Sequence, residues 1–238
     1  MKISIIIPVL NEMRHGYLKN ALKRVAELEG EKELIIVDGV SDDGTRELCK
    51  GYGKVVSAGR SNRAQRMNIG VNHANGELLL FHHPRSVLPV GALKALRKCM
   101  KNPRVVGGGF SHSFDHDQWN LNYASWHSNY VRGKLLGVIY LDHCIFVRRE
   151  VFEEIGGFPN YDIFEDTAFP LMMRKKGRLK ILPEKVQTSA TRFKKRGIRK
   201  QVLLNQLLKL GFHLGVHPKK LNAFYEGKDP FNVKKNAK

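Results

Sequence analysis

Apolar residues arrive along this chain in two alternating rhythms. Residues 3–8 (ISIIIP) are an almost unbroken β-branched run, the pattern of a strand covered on both faces of a parallel sheet. Over 17–28 the spacing changes to Leu18, Leu22, Val25 and Leu28, the repeat of a helix with one buried face. The two patterns then trade places. A buried strand at 33–38 ends in Asp38, and a turn-rich loop at 39–45 (GVSDDGT) caps a helix through Cys49. A short strand at 55–58, a helix at 62–74, a strand at 77–81, a helix at 91–100 and a strand at 105–110 follow. Such alternation predicts an α/β fold with a mostly parallel central sheet and helices on both faces. In sheets of this kind ligands bind outside the carboxyl ends of the strands, which puts Asp38 and the loop from His82 to Arg85 on the binding edge.

Past Gly107-Gly108-Gly109 the rhythm breaks. Residues 111–134 are polar and aromatic, with Trp119, Tyr123, Trp126, His127 and Tyr130, and predict a partly helical stretch. A strand at 138–147 is interrupted by Asp142-His143, and a short helix at 150–155 is closed by Gly156-Gly157-Phe158-Pro159. Glu165 opens a helix through Lys175, two short strands are expected at 179–182 and 186–189, and a leucine-rich helix covers 200–215. No repeat or low-complexity linker interrupts the chain, so one compact body is expected.

Composition narrows the class. The chain has 238 residues, 42% of them hydrophobic, enough for one substantial core. Its three cysteines (Cys49, Cys99, Cys144) are odd in number and widely spaced. That argues against a disulfide framework or a structural zinc site, and for a reducing compartment. The N-terminal apolar run is too short for a signal peptide and no stretch is long enough for a membrane span, so a cytoplasmic protein is expected. Charge is the unusual feature: 41 Lys and Arg against 22 Asp and Glu give +19. From residue 178 to 238 there are 16 basic and 3 acidic residues, a local excess of 16 − 3 = +13. Such a field favours phosphates, anionic lipid or nucleic acid, and it also suits a plain solubilising tail. The segment lacks the aromatic–basic interleaving of an RNA-binding sheet, which argues against nucleic acid. Leu203, Leu207, Leu210 and Leu214 recur at helical spacing, widened by Leu204 and Leu208, behind Lys194, Lys195, Arg196, Arg199 and Lys200. That combination suits peripheral attachment to an anionic membrane face, unless the leucines pack on the protein's own core.

Several ordered stretches resemble family 2 glycosyltransferases: IIIPVLNE at 5–12, IIVDGVSDDGT at 35–45, GRSNRAQRMNIGVNHANGELLLF at 59–81, LDHCIFVRREVFEEIGGFP at 141–159 and FEDTAFPLMMRKKGRLKILP at 164–183. The GRxxQxN-type stretch, the segment TSATRFKKRG and the closing helix with Tyr225 further resemble the compact subfamily called radical-SAM/selenodomain-associated transferase 2. The resemblance implies a GT-A-type nucleotide-sugar-binding fold and inverting transfer of a sugar from a nucleotide-sugar donor to an acceptor hydroxyl; which acceptor is open, with a lipid and a glycan as candidates. Residues 1–110 would form the donor half, 111–197 the acceptor half, and 198–238 a basic C-terminal helical segment.

Carried over residue by residue, the resemblance places Pro8, Glu12 and Asp38 on the nucleotide side. Arg60, Arg63, Gln65 and Asn68 stand at a helix start, where basic side chains suit a diphosphate. The plain alternatives are that Asp38 caps its own turn, that Glu12 is a solvated loop carboxylate, and that the four helix-start residues are an ordinary first turn. Glu165 and Asp166 match the acidic pair ahead of the acceptor-side helix. Asp166 is the candidate base, with helix capping as the plain alternative. Asp142 and His143 match a polar pair lining the site, and Trp126 could stack on a sugar or lipid face or simply close the core. At the end of LLLF the family's metal aspartate falls at Arg85 and its polar partner at His83. Arginine cannot ligate a metal but can fork two hydrogen bonds to phosphate oxygens. Metal-independent donor binding is therefore expected, with a metal held by His82, His83 and His143 as the alternative. A second class stays open: a catalytically silent nucleotide- or sugar-binding protein of the same fold that has lost the metal site.

Overall fold

The computed structural model describes residues 1–13, 16–191 and 197–226. Within them eight strands form one sheet: β1 (Ile3–Val9), β2 (Lys32–Asp38), β3 (Lys54–Ser57), β4 (Leu78–Phe81), β5 (Ser86–Val87), β6 (Val105–Phe114), β7 (Ile145–Arg148) and β8 (Arg178–Thr188), in the order β3-β2-β1-β4-β7-β6-β8-β5. The helices are α1 (Leu18–Glu27), α2 (Thr45–Cys49), α3 (Arg63–Asn72), α4 (Ala92–Met100), α5 (Trp119–His127), α6 (Arg149–Glu154), α7 (Glu165–Arg174), α8 (Ile198–His213) and α9 (Pro218–Glu226). A wide-turned π-helix, Ser128–Leu136, continues α5, and a single 3₁₀ turn, Leu141–His143, precedes β7.

Strand β1 shows how the sequence builds both faces at once. Ile3, Ile5, Ile7 and Val9 pack into one cluster with Leu18, Leu22 and Val25 of α1 and Leu93 and Leu96 of α4. Ile6 points to the other face, among Met67 and Val71 of α3, Phe152 of α6 and Phe169 and Met173 of α7. The alternation is the two-residue period of a strand, and the continuous apolar run is what burial on both faces demands. Beneath the upper end of β4, Phe81 meets Phe158 edge-on at 4.7 Å between ring centroids, and Phe158 stacks on Phe169 at 4.0 Å. This aromatic cluster ties β4, the Gly156–Pro159 loop and α7 together; truncating a buried ring of this kind costs about 3–5 kcal/mol.

The sheet is mixed. β1, β2, β3 and β4 pair in parallel, as expected, and so do β6 and β8. β7, however, runs antiparallel between β4 and β6, and β5 runs antiparallel to β8. β6 extends to Phe114 and so crosses residue 110. The three glycines at 107–109 let it approach its neighbours: a Cβ on Gly108 would strike the Lys180 carbonyl, and one on Gly107 the Phe146 carbonyl. The two short strands expected around residue 183 are one strand, β8. Its register against β6 jumps from Phe110↔Leu182 to Ser111↔Lys185, so Pro183 and Glu184 are accommodated as a bulge.

At the C-terminal end, Leu204, Leu208, Phe212, Leu221 and Tyr225 of α8 and α9 pack on Ile163 and Phe164. The leucine stripe therefore divides: Leu204 and Leu208 belong to this small core, while Leu203, Leu207, Leu210 and Leu214 are exposed. The basic residues expected to accompany the stripe, Lys194, Lys195 and Arg196, lie outside the described residues. Among the described residues no helix is long and apolar enough to cross a membrane.

Candidate functional site

Register brings the chemistry to one edge. Val9 pairs with Asp38, so β1 and β2 end together, while β4 ends three residues lower, where Phe81 pairs with Ile6, and the antiparallel β7 begins at that lower level because Phe81 pairs with Ile145. The loops at this edge enclose a cleft of about 250 Å³ lined by Pro8, Glu12, Arg63, Arg66, His83, Arg85, Tyr140, Asp142, Asp166, Lys209 and Tyr225, among others. Of the residues predicted from sequence, the fold thus gathers Pro8, Glu12, Arg63, His83, Arg85, Asp142 and Asp166 around one space.

On one wall Arg85 grips Glu12 with two prongs: Nε donates to Oε2 at 2.8 Å and Nη2 donates to Oε1 at 3.2 Å. Both side chains are largely buried, so this is a charge-assisted, two-point contact in a low-dielectric setting. Glu12 is not a solvated loop residue. Its backbone N–H donates to Thr45 Oγ1 at 2.8 Å, and the neighbouring Asn11 N–H donates to Ser41 Oγ at 3.0 Å, lashing the end of β1 to the loop after β2.

Elsewhere in the lining Arg63 reaches from the first turn of α3 to the acidic pair that opens α7. Its Nε pairs with Glu165, and its Nη2 donates to Asp166 Oδ2 at 3.2 Å. The same Oδ2 accepts from the Leu141 N–H at 3.1 Å. Glu165 is fully buried; burial pushes its pKa up to about 7, with Arg63 pulling the other way and Asp166 adding to the rise. Burial works against the Arg63 charge as well, but Glu165 and Asp166 outweigh it and hold the guanidinium firmly protonated.

Asp142 lines the cleft too, its Oδ2 3.7 Å from His112 Nε2 and its Oδ1 3.9 Å from His143 Nε2. Burial disfavours its charge, but His112, His143, Lys209 and Arg63 outweigh that and hold its pKa below the ordinary carboxylate value. His112, by contrast, is pulled down to about 4 by burial.

The other predicted residues stand elsewhere. Asp38 is fully buried and does not line the cleft; its oxygens accept from the Ser41 N–H at 3.2 Å and from Ser41 Oγ at 2.5 Å, as in a turn-capping aspartate. Gln65 completes a capping box with Asn62, each side chain bonding the other's backbone N–H side at 2.9 Å. Asn68 pairs with both backbone polar groups of Phe158 at 2.9 Å. Arg60, Gln65 and Asn68 face outer hollows instead of the cleft, so of the four helix-start residues only Arg63 enters it. The helical turn sends successive side chains in different directions. Trp126 is half exposed in an aromatic ladder with Tyr123 and Tyr130 along α5 and its continuation, and borders neither this cleft nor the cavity beside it.

At the strand end stands an arginine, which cannot ligate a metal. Arg85 stands there with its guanidinium on Glu12, and among the described residues no group of three His, Cys, Asp or Glu side chains is placed to hold an ion. The three histidines weighed as metal ligands differ in their partners. His143 Nδ1 is 2.8 Å from the Phe110 carbonyl and its Nε2 is 2.9 Å from Ser128 Oγ, so both ring nitrogens are engaged. His82 is fully buried below the strand end, and His83 Nδ1 accepts from the Arg85 N–H at 3.1 Å.

Sequence reasoning missed Arg66, Tyr140, Lys209 and Tyr225, all of which line the cleft. Lys209 carries the one signal that could have been read, a lone cation inside the apolar run LLNQLLKLGF. It also missed the backbone. Asn11, Val40, Cys144 and Phe164 have φ of +51°, +66°, +52° and +66°. Each lies within two residues of Glu12, Asp38, Asp142 or Glu165. Left-handed backbone at a non-glycine residue costs of order 1–3 kcal/mol and persists where the surrounding structure demands it; a β-branched valine there is a marked outlier.

The same architecture occurs in solved glycosyltransferase structures. TarS 1–349 of S. aureus matches with a TM-score of 0.64 at 16% identity, over 80% of this chain and 61% of that one. Its complex with UDP-GlcNAc matches equally, at 0.64 and 16%, over 79% and 58%. The mannosyltransferase PcManGT of Pyrobaculum calidifontis, in complex with GDP-Man and Mn²⁺, matches at 0.65 and 21%, over 96% of this chain and 65% of that one. This chain therefore spans about three fifths of the length of those structures, and the shared fold is the GT-A type. No curated protein matches the chain. The sequence profile described as Glycosyl transferase family 2 matches residues 4–156, close to two thirds of the length, and the chain belongs to that family.

Proposed function

We propose that the protein transfers a hexosyl unit from a nucleotide-sugar donor to an acceptor hydroxyl with inversion, as a member of the compact radical-SAM/selenodomain-associated subfamily that its motifs resemble. What carries this reading is the meeting of Arg85 and Asp166 in one cleft. In an inverting step the acceptor oxygen bonds to the anomeric carbon as the bond to the diphosphate oxygen breaks. The hydroxyl proton passes to a carboxylate, and negative charge builds up on the leaving diphosphate. Asp166 is the carboxylate: Arg63 and the Leu141 N–H hold one of its oxygens, which orients the other. Arg85 supplies the positive charge that a metal supplies elsewhere, its fork passing from Glu12 to the diphosphate when donor binds. Structural relatives bind UDP-GlcNAc or GDP-Man, and a donor of that class is the substrate here. Exposed Leu203, Leu207, Leu210 and Leu214, together with the basic C-terminal quarter, support a cytoplasmic enzyme resting on an anionic membrane face. Liposome co-sedimentation should then be stronger with anionic than with neutral lipid.

The test of the chemistry is Asp166→Asn. It should keep nucleotide-sugar binding within about twofold and lower transfer by about 10²–10⁴-fold, the usual contribution of a positioned base. Wild-type turnover by this variant would remove Asp166 from the mechanism. The silent binding protein draws support from the Glu12–Arg85 pair, which closes the fork on itself. Donor bound by the wild type with neither transfer nor hydrolysis, with or without added metal, would decide for it.

A further inference from the structure

A second cavity, of about 480 Å³, opens between the π-helix after α5 and helix α8. Tyr140, Asp142, Asn205 and Lys209 line both it and the donor cleft, so the two spaces share a wall. Its strong cations are Arg132 and Lys209. Arg132 Cζ lies 5.8 Å and Lys209 Nζ 4.8 Å from the centre of the Tyr140 ring, and Arg132 donates to Gln206 Oε1 at 3.4 Å. Asp142 and Asp166 are near enough to favour the Lys209 charge, but among the described residues no carboxylate is within 4.0 Å of either cation.

The other titratable groups of the lining do not balance them. Burial pulls His112 down to about 4 and holds His127 below its ordinary value, so both are neutral at neutral pH. Tyr140, pushed up to about 12 by burial, is neutral too. Asp142 is the one carboxylate of the lining. Burial, with Arg132 beside it, pulls Lys209 down to about 8, and Asp142 and Asp166 offset this only in part.

We propose that this cavity seats a phosphate group of the acceptor on Arg132 and Lys209, so that the acceptor hydroxyl extends past Asp142 toward Asp166. The inference rests on the transferase reading and names its acceptor class, a phosphoester. The phosphate can belong to a lipid headgroup or to a water-soluble compound. Tyr123 and Leu203, exposed at the mouth, would meet the tail of the former.

Binding of glycerol 3-phosphate, decyl phosphate and decanol to the full chain, by calorimetry, tests the seat, with UDP and GDP titrated in parallel. Both phosphates should bind and should weaken about tenfold or more in Arg132→Gln and in Lys209→Gln, the effect of removing one charge-assisted contact. Arg132 lies outside the donor cleft, so nucleotide binding in Arg132→Gln should stay within about twofold. Arg132→Lys, which keeps the charge, should recover much of the affinity, which a merely misfolded glutamine variant could not explain. Decyl phosphate bound more tightly than glycerol 3-phosphate supports the seat with a lipid source, and equal binding supports it with a soluble one. Decanol bound as tightly as decyl phosphate overturns the proposal, as does phosphate binding lost in Arg85→Ala but kept in Arg132→Gln. Failure of the wild type to bind any nucleotide while binding both phosphates would strike the transferase reading and leave the anion seat standing.

Discussion

Two arginine–carboxylate assemblies line the one cleft, and they differ in stoichiometry. Arg85 and Glu12 are one to one and two-pronged. Arg63 serves two carboxylates, Glu165 and Asp166, and leaves the assembly short by one positive charge when both are ionised. The first is neutral as it stands and can exchange one anion for another at little electrostatic cost. The second is buried, and burial first, with the like charge of Asp166 adding to it against the pull of Arg63, drives the Glu165 pKa up to about 7. An exchangeable fork suits a departing diphosphate; an acidic pair with a fixed counter-ion suits proton removal. In the transferase we propose, one cleft would separate the two charges that transfer must manage.

The comparison breaks most severely at Arg63. Arg63→Met leaves Glu165 and Asp166 buried without their shared cation. Stability in urea should fall by about 3–5 kcal/mol, the usual result of orphaning one side of a buried pair. Adding Glu165→Gln should restore part of it. In the other assembly, Arg85→Ala should lower donor affinity by about 10–100-fold while EDTA leaves the wild type unchanged, since one forked contact to phosphate is worth about 1.5–3 kcal/mol. Strict dependence of the wild type on Mn²⁺ or Mg²⁺ would defeat the claim that the guanidinium does the metal's work.

The acidic assembly should also show in the pH dependence of stability. Glu165 holds its proton up to about 7 when folded and to 4.5 ordinarily, so the folded state binds more protons in between. Its contribution is therefore present below 4.5 and lost as pH rises through 7. His82 and His112 titrate near 4 when folded and near 6.5 ordinarily, so their contribution has the opposite sign and is lost as pH falls from 6.5 to 4. The two slopes oppose each other between 4.5 and 6.5. Glu165→Gln should unmask the histidines, and its unfolding free energy should rise more steeply with pH across that window than the wild type's. The smallest effect belongs to Glu12→Gln, which frees the fork and should tighten donor binding by a few-fold, as removal of a competing charge-assisted contact predicts. A weaker donor complex in this variant would mean that Glu12 itself touches the donor.

Much of this was written in local patterns, and the failures share a cause. Run length and alternation announce the strands of the first half, because a strand buried on both faces must be apolar throughout. Nothing in IFVR at 145–148 says which way it runs, since an apolar strand looks the same in either direction. Pro183 suggested a break in β8, where a bulge lets the ladder resume. In the site, motifs located the strand-end residues, but the Arg63–Asp166 contact joins positions 103 residues apart and leaves no local trace. Asp38 and Gln65 stand where a ligand-binding reading expects them, yet their side chains are taken up by a turn and a cap. Residue type and spacing do not reveal which partner a polar group has already found.

The placement of β7 bears on how the molecule is made. β4 gains its antiparallel neighbour only through the pairs from Leu78↔Arg148 to Phe81↔Ile145, so the strand's partner is synthesised 64 to 70 residues after it. At roughly 5–20 residues per second on the ribosome, the apolar edge LLLF waits for several seconds with one flank unpaired. A nascent chain in that interval presents an open strand edge of the kind that recruits other strands. Chaperone demand and aggregation during expression should therefore concentrate on chains that stop before residue 148, well short of the helices that complete the cleft.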